Sequence, residues 1–305
     1  NEFHGDLFEF VRNKVFNARN TFAPERDGLK RNQFGGVVGG PVIKNKLFFF
    51  GGDQFTRVRS APSTTINFVP TQQMLAGDFT SITSAACNNN RPITLRAPFV
   101  NNRIDPAQFS PVAMNLMKKI TPSADPCGRN QFGRTANSDE QIIVGKVDYQ
   151  KSQKNSIFGR YELARLFTPT DYDGTNIIST GQPNYKRRVH SFVFGDTYLI
   201  GTNMVSSFRG TTLRTLSEKN LPNFLTWSDL GVKNLFFPGN YAKFFLLTIT
   251  GGFQTFNGPP IAAPGTTNST TFQLAEDISW TKGTHQLGFG VNYLHSMTNY
   301  LSGTN

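Results

Sequence analysis

Ile143-Val144-Gly145-Lys146-Val147-Asp148-Tyr149-Gln150 runs through Lys151-Ser152-Gln153-Lys154 into Ile157-Phe158-Gly159-Arg160-Tyr161-Glu162-Leu163. At a period of two, Ile143, Gly145, Val147 and Tyr149 share one face, and Lys146, Asp148 and Gln150 share the other. Past the short polar break, Ile157, Gly159, Tyr161 and Leu163 line one face against Phe158, Arg160 and Glu162. A period of two places successive side chains on opposite sides of a strand, so this stretch predicts two strands joined by a tight turn.

The same pattern returns near the end of the chain. Phe272, Leu274, Ile278 and Trp280 oppose Gln273, Asp277 and Ser279, with Glu276 breaking the apolar row. After Lys282-Gly283-Thr284, Leu287, Phe289, Val291 and Tyr293 oppose Gln286, Gly288, Gly290 and Asn292. Segments near 3–13, 33–43, 46–58, 187–200 and 204–215 also read as strands, with mixed faces. In Phe48-Phe49-Phe50 at least one ring must point to the less apolar side.

About nine strands are expected, and their connections alternate. Those near 44–45, 151–155, 201–203 and 282–284 are very short, whereas 14–32, 59–139, 167–186 and 216–270 are long. A meander with tight turns at one rim and long loops at the other is the pattern of an outer-membrane barrel, with periplasmic turns and extracellular loops. A soluble sandwich seldom carries a loop as long as 59–139 with little structure of its own. In lipid a spanning sheet must close, because an open edge leaves unpaired N–H and C=O groups. Nine strands therefore predict part of a larger barrel.

Composition agrees. The 305 residues carry 31 Lys plus Arg against 20 Asp plus Glu, a net +11, with 37% hydrophobic residues, 29 Phe and 28 Gly. That balance suits aromatic-rich strands and turns. No Gly period marks collagen, two Cys make no disulfide scaffold, and 13% aromatic residues argue against wholesale disorder. No apolar run reaches the length of a transmembrane helix, and alternating strands leave hydropathy low. The chain starts at Asn1 without a signal-peptide pattern, which predicts a processed chain or an internal piece of a longer protein.

Several stretches carry a family resemblance. Phe3-His4-Gly5-Asp6-Leu7-Phe8-Glu9-Phe10-Val11-Arg12-Asn13 and Asn17-Ala18-Arg19-Asn20 resemble the start of the barrel in Oar-like TonB-dependent receptors. So do Arg31-Asn32-Gln33-Phe34-Gly35-Gly36, Gly39-Gly40-Pro41-Val42, Lys44-Asn45-Lys46 and Phe48-Phe49-Phe50-Gly51. Ala76-Gly77-Asp78-Phe79 and Asn102-Arg103-Ile104-Asp105-Pro106 resemble pieces of the first large loop, and Trp280-Thr281-Lys282-Gly283-Thr284-His285 a later hairpin turn. The resemblance covers nearly all of residues 1–305 and is most specific in the first sixty. It implies a barrel of about 22 strands with a plug before it. The plug and the remaining strands would lie outside this sequence, as would the segment that contacts TonB.

The chemistry expected is recognition without catalysis. Gly35–Pro41 is glycine-rich but lacks the Gly-Lys-Ser/Thr ending of a phosphate loop, and reads better as small residues allowing close strand packing. His4, His190, His285 and His295 show no metal-ligand spacing, and no nucleophile elbow occurs. No enzyme, cofactor or metal is expected. Lys146, Asp148, Arg160, Glu162 and Asp277 are the candidates for a hydrated lumen; Tyr149, Trp280 and Tyr293 are the candidates for interfacial girdles. Cys87 and Cys127 fall in the 59–139 loop, where an oxidising exterior permits a disulfide; the other reading is two unpaired thiols. Basic residues are scattered apart from Lys186-Arg187-Arg188, which suits anionic lipid headgroups at the rim better than nucleic acid.

The resulting expectation is an all-β, partial transmembrane antiparallel barrel in the outer membrane of a Gram-negative bacterium. Its partners would be outer-membrane lipid, an unidentified solute held by loops 59–139, 167–186 and 216–270, and a TonB complex acting through the missing plug. Two other readings stay open: a passive porin-like or adhesive barrel, and a soluble secreted β-sandwich that binds carbohydrate.

Overall fold

A computed structural model describes residues 1–19, 21, 28–170, 183–220, 226–234 and 265–302. Alternation becomes nine strands: β1 (His4–Asn13), β2 (Lys30–Ile43), β3 (Leu47–Phe68), β4 (Arg129–Ser152), β5 (Asn155–Thr168), β6 (Asn184–Ile200), β7 (Met204–Asn220), β8 (Gly265–Lys282) and β9 (His285–Ser302). They form one antiparallel sheet in chain order. No second sheet packs on it among the described residues, which removes the sandwich reading. No described helix is long and apolar enough to cross a membrane, which says nothing of strands.

Directly paired residues point to the same side of a sheet, so the register settles the faces. One row reads Gly40, Phe49, Val147, Gly159, Phe194, Gly210, Leu274 and Tyr293 from β2 to β9. The next row toward the long connections reads Val38, Gly51, Gly145, Tyr161, Phe192, Thr212 and Phe272. This face is apolar. The opposite face carries Asp148 beside Phe158, Lys146 beside Arg160, Val144 beside Glu162, and Ser207 beside Asp277. Of the three consecutive rings, Phe49 joins the apolar face while Phe48 and Phe50 pair with Asp148 and Lys146 on the polar one.

Three of the four tight turns use backbone that favours Gly or Asn. Asn45, Gly201 and Gly283 have φ of 58°, 65° and 61°, the left-handed region. Glycines in β2 do something else, because they make room. A Cβ at Gly35 would stand 2.9 Å from the Phe8 ring, and one at Gly40 would collide with Phe3. The rings of Phe3 and Phe8 therefore pack closely against glycines of β2, the close packing expected of Gly35–Pro41.

The strands run further than their alternation predicts. β3 ends at Phe68 and β4 starts at Arg129, so the first large connection is 69–128 rather than 59–139. Pairing continues from Ser63 with Arg134 to Phe68 with Arg129, after a register shift between Ser60 and Ser63 that brackets Pro62. Pro lacks the ladder N–H, and a bulge accommodates it. The 22 residues of β3 span about 70 Å, or about 55 Å along the membrane normal at the usual tilt, well beyond a 25 Å apolar band. Strand outside the bilayer is wet on both faces and needs no alternation. The other flanking strands likewise run further, to Lys30, to Thr168 and Asn184, and to Asn220 and Gly265.

The buried apolar side chains do not lie in the sheet. Of Val69, Met74, Leu116, Ile120, Leu163 and Leu230, only Leu163 belongs to a strand. The apolar face stays open, with Val291 68% and Phe289 59% exposed, so its cover must come from outside the described residues.

Candidate functional site

The connection between β3 and β4 folds into a cap at the long-connection rim. It contains α1 (Gln72–Leu75) and α2 (Pro111–Met117), with single 3-10 turns at Ala85–Cys87 and Pro106–Gln108. This is more structure than the sequence pattern predicts. Thr71 starts α1 by accepting the Met74 N–H at 3.2 Å, and Pro111 sits in the first turn of α2, where its missing N–H costs nothing. Asp105 accepts the Ala107 N–H at 2.9 Å and opens the second 3-10 turn.

The two loop stretches singled out in the sequence meet here. Ile104 N–H donates to Gly77 C=O at 2.9 Å, and Phe79 N–H to Asn102 C=O at 2.9 Å. Arg103 and Asp78 form an ion pair at 3.2 Å. The Asn102 side chain ties three segments, donating to Thr83 Oγ1 and Ile93 C=O at 2.9 Å each and accepting the Leu95 N–H at 2.8 Å. Gly77 has φ +86°, and a Cβ there would run into the Ile104 carbonyl. Phe79 packs edge-on against Phe99 at 5.1 Å and Phe109 at 6.4 Å. Hydrogen bonds from the Thr80 hydroxyl and backbone N–H, with Gln73 and Arg103 adding smaller contributions, hold the Asp78 carboxyl well below its ordinary range. None of this long-range pairing shows as periodicity.

Cys87 and Cys127 are disulfide-bonded, with Cα atoms 5.2 Å apart. The bond ties the first 3-10 turn to the residues just before β4, next to Gly128, whose C=O accepts the Val69 N–H at 2.8 Å. A second connection docks on the cap: Leu230 is buried, and its C=O accepts from Asn115 Nδ2 at 3.1 Å. Asp229, beside it, is also held below the usual carboxylate range, by the Thr226 N–H and then its hydroxyl. Of the loops expected to touch a solute, residues 171–182, 221–225 and 235–264 lie outside the described residues.

Below the cap stands the polar wall. Lys146, Asp148, Arg160 and Glu162 cluster on adjacent strands, with Lys146 Nζ 2.7 Å from Asp148 and 5.3 Å from the Phe158 ring centroid. Asp277 shares their face but lies on β8, three strands from β5, beside Ser207 and Gly290. No described group of three or more His, Cys, Asp or Glu could hold a metal ion.

The aromatic candidates all lie on the apolar face, at two heights. Tyr149 and Trp280 sit next to the tight turns, where Lys46 lies 5.9 Å and Lys282 5.2 Å from their ring centroids. An aromatic ring beneath a Lys cation suits headgroup depth. Tyr293 pairs with Leu274 instead, eight residues past His285, in the middle of the face. Tyr198 stands with the turn-side pair, and toward the other rim Tyr161 Oη bonds His190 Nδ1 at 2.8 Å. The mixed pattern of residues 187–200 concealed Tyr198 and His190.

The apolar face is interrupted by carboxylates, each with a donor. Asp53 accepts from Gln141 Nε2 at 3.2 Å, Asp196 from Asn155, and Glu276 from Ser206 Oγ at 2.5 Å.

A family model described as an outer membrane beta barrel domain matches residues 1–305. No curated protein matches the chain.

Proposed function

The chain belongs to the outer membrane beta barrel domain family, and from that premise we propose that it forms part of the barrel of an Oar-like TonB-dependent receptor that binds and imports a solute. It resides in the outer membrane, with its apolar face against lipid, its tight turns periplasmic and its long connections outside. The observation that carries the finer reading is the cap. The 76–79 and 102–106 stretches that resemble this receptor group interlock through Gly77, Phe79, Asn102 and Ile104, in a disulfide-tied fold at the extracellular rim. A folded cap beside a polar wall suits capture of a solute and its transfer inward, by binding and gating without covalent chemistry. The free edges of β1 and β9 would be closed by further strands, and the energy-coupling complex would act through a plug.

Conductance in planar bilayers tests this on the complete protein. A plugged receptor gives no steady open channel, and it retains a purified periplasmic TonB domain on a column. A large, steady conductance without TonB retention would identify a passive porin instead.

A further inference from the structure

Two residues above the apolar band, the lipid-facing side of β3, β5 and β6 turns basic. On β5 the outward series Ile157, Gly159, Tyr161 and Leu163 continues with Arg165. On β6 the series Phe194, Phe192 and His190 continues with Arg188 and Lys186, and on β3 Phe55 is followed by Arg57 and Arg59. Register puts Arg165 directly opposite Arg188, and Lys186 opposite Phe167. Two cations paired across strands repel, an arrangement that isolated strands avoid. The nearby outward acids do not neutralise the group. Asp139, directly opposite Arg57, is taken by Arg59 at 2.8 Å, and Glu218, directly opposite Lys186, stands 3.7 Å from Arg188, so five cations face two acids. Among the described residues Arg57, Arg165 and Lys186 form no ion pair; Arg57 and Lys186 lie over the Phe34 and Phe167 rings, each at 5.9 Å. These side chains line a groove of about 590 Å³ floored by Phe55 and Phe167.

We propose that this groove binds the phosphorylated glycolipid of the outer leaflet, lipopolysaccharide, through its lipid A phosphates. Position, charge and surroundings all fit one amphipathic ligand. The cations stand at the rim that faces outward, at the depth where acyl chains give way to headgroups. Directly beneath them, the exposed rings of Tyr161 and Phe192 offer an apolar wall for the chains. The group spans four strands, about 14 Å at ~4.8 Å per strand, and divides into Arg165–Lys186–Arg188 and Arg57–Arg59. Two separated cationic clusters match a headgroup bearing two phosphates, where Arg offers bidentate donors. An anion between Arg165 and Arg188 would also turn their repulsion into a shared contact. This inference rests on the membrane orientation of the sheet and not on solute import, so loss of one leaves the other measurable.

The test titrates the complete protein in zwitterionic micelles with diphosphoryl lipid A, dephosphorylated lipid A and phosphatidylglycerol, read by native mass spectrometry. Arg165→Gln/Arg188→Gln is compared with wild type and with Lys44→Gln at the opposite rim. The expected result is preferential retention of diphosphoryl lipid A, weakened about tenfold or more in the double variant and unchanged in Lys44→Gln. Without lipid the double variant should melt close to wild type, because relief of the Arg165–Arg188 repulsion offsets loss of the long, exposed Arg188–Glu218 pair; a folding defect is thereby separated from a binding defect. Equal binding of diphosphoryl and dephosphorylated lipid A, equal binding of phosphatidylglycerol, or full retention by the double variant would overturn the proposal.

Discussion

Asn102 holds the cap with one side chain that joins residues 83, 93 and 95. Asn102→Ala leaves the Ile93 carbonyl and Leu95 N–H without that partner, so the cap should lose about 2–3 kcal/mol, read as faster proteolysis within 69–128 with the sheet intact. The disulfide acts on the same element. Cys87→Ser should weaken the cap by roughly 3–4 kcal/mol on the chain-entropy account, again without loss of strand signal in circular dichroism. Asp78 sets the pH response. Its folded carboxyl titrates below the ordinary 3.8, so its contribution is complete above that value and disappears as the pH falls through the lower folded one. The cap should therefore resist proteolysis unchanged from neutrality to about pH 5 and loosen only in stronger acid, whereas Asp78→Asn should loosen it at every pH. Equal protease resistance of wild type and Asp78→Asn at pH 7 would remove the carboxylate from this role. The cysteines were legible as a possible pair from their shared loop and compartment. Asn102 was not, because a hydrogen-bonding hub has no sequence period.

Within the strands, parity decides what a substitution does. Phe194 faces lipid in mid-band and Val193 faces the lumen. Phe194→Arg should cost about 2–4 kcal/mol in urea unfolding from liposomes, while Val193→Arg should cost much less. Similar losses at both sites would contradict the assignment of faces. The period of two was readable in β4, β5, β8 and β9 because those strands alternate cleanly: Ile157, Tyr161 and Leu163 stand against Arg160 and Glu162. It failed in β6, where Asp196 and His190 sit on the lipid side and are masked by hydrogen bonds to Asn155 and Tyr161. It also failed beyond residue 58 in β3, where water on both faces removes the reason to alternate. Tyr293 shows a further gap: its face was readable, but its depth depended on how far the strand slides past its neighbour.

The molecule as a whole reverses the usual arrangement of a water-soluble protein. Among the described residues, five of the six buried apolar side chains lie in or against the extracellular cap, and an apolar surface is left open along the sheet. Lipid is the cover that such a surface requires, and the row from Phe49 through Val147, Phe194 and Leu274 to Tyr293 stays on one face across seven strands. Alternation of tight turns and long connections then gives the wall a direction, with recognition at one rim and short periplasmic closures at the other. The most direct test is a spin-label scan through residues 157–163 of the complete protein in bilayers, reading access to oxygen in lipid and to a nickel chelate in water. Labels at 157, 159, 161 and 163 should be reached by oxygen, and labels at 158, 160 and 162 by the chelate; a scan without that alternation, or with the opposite parity, would contradict the account.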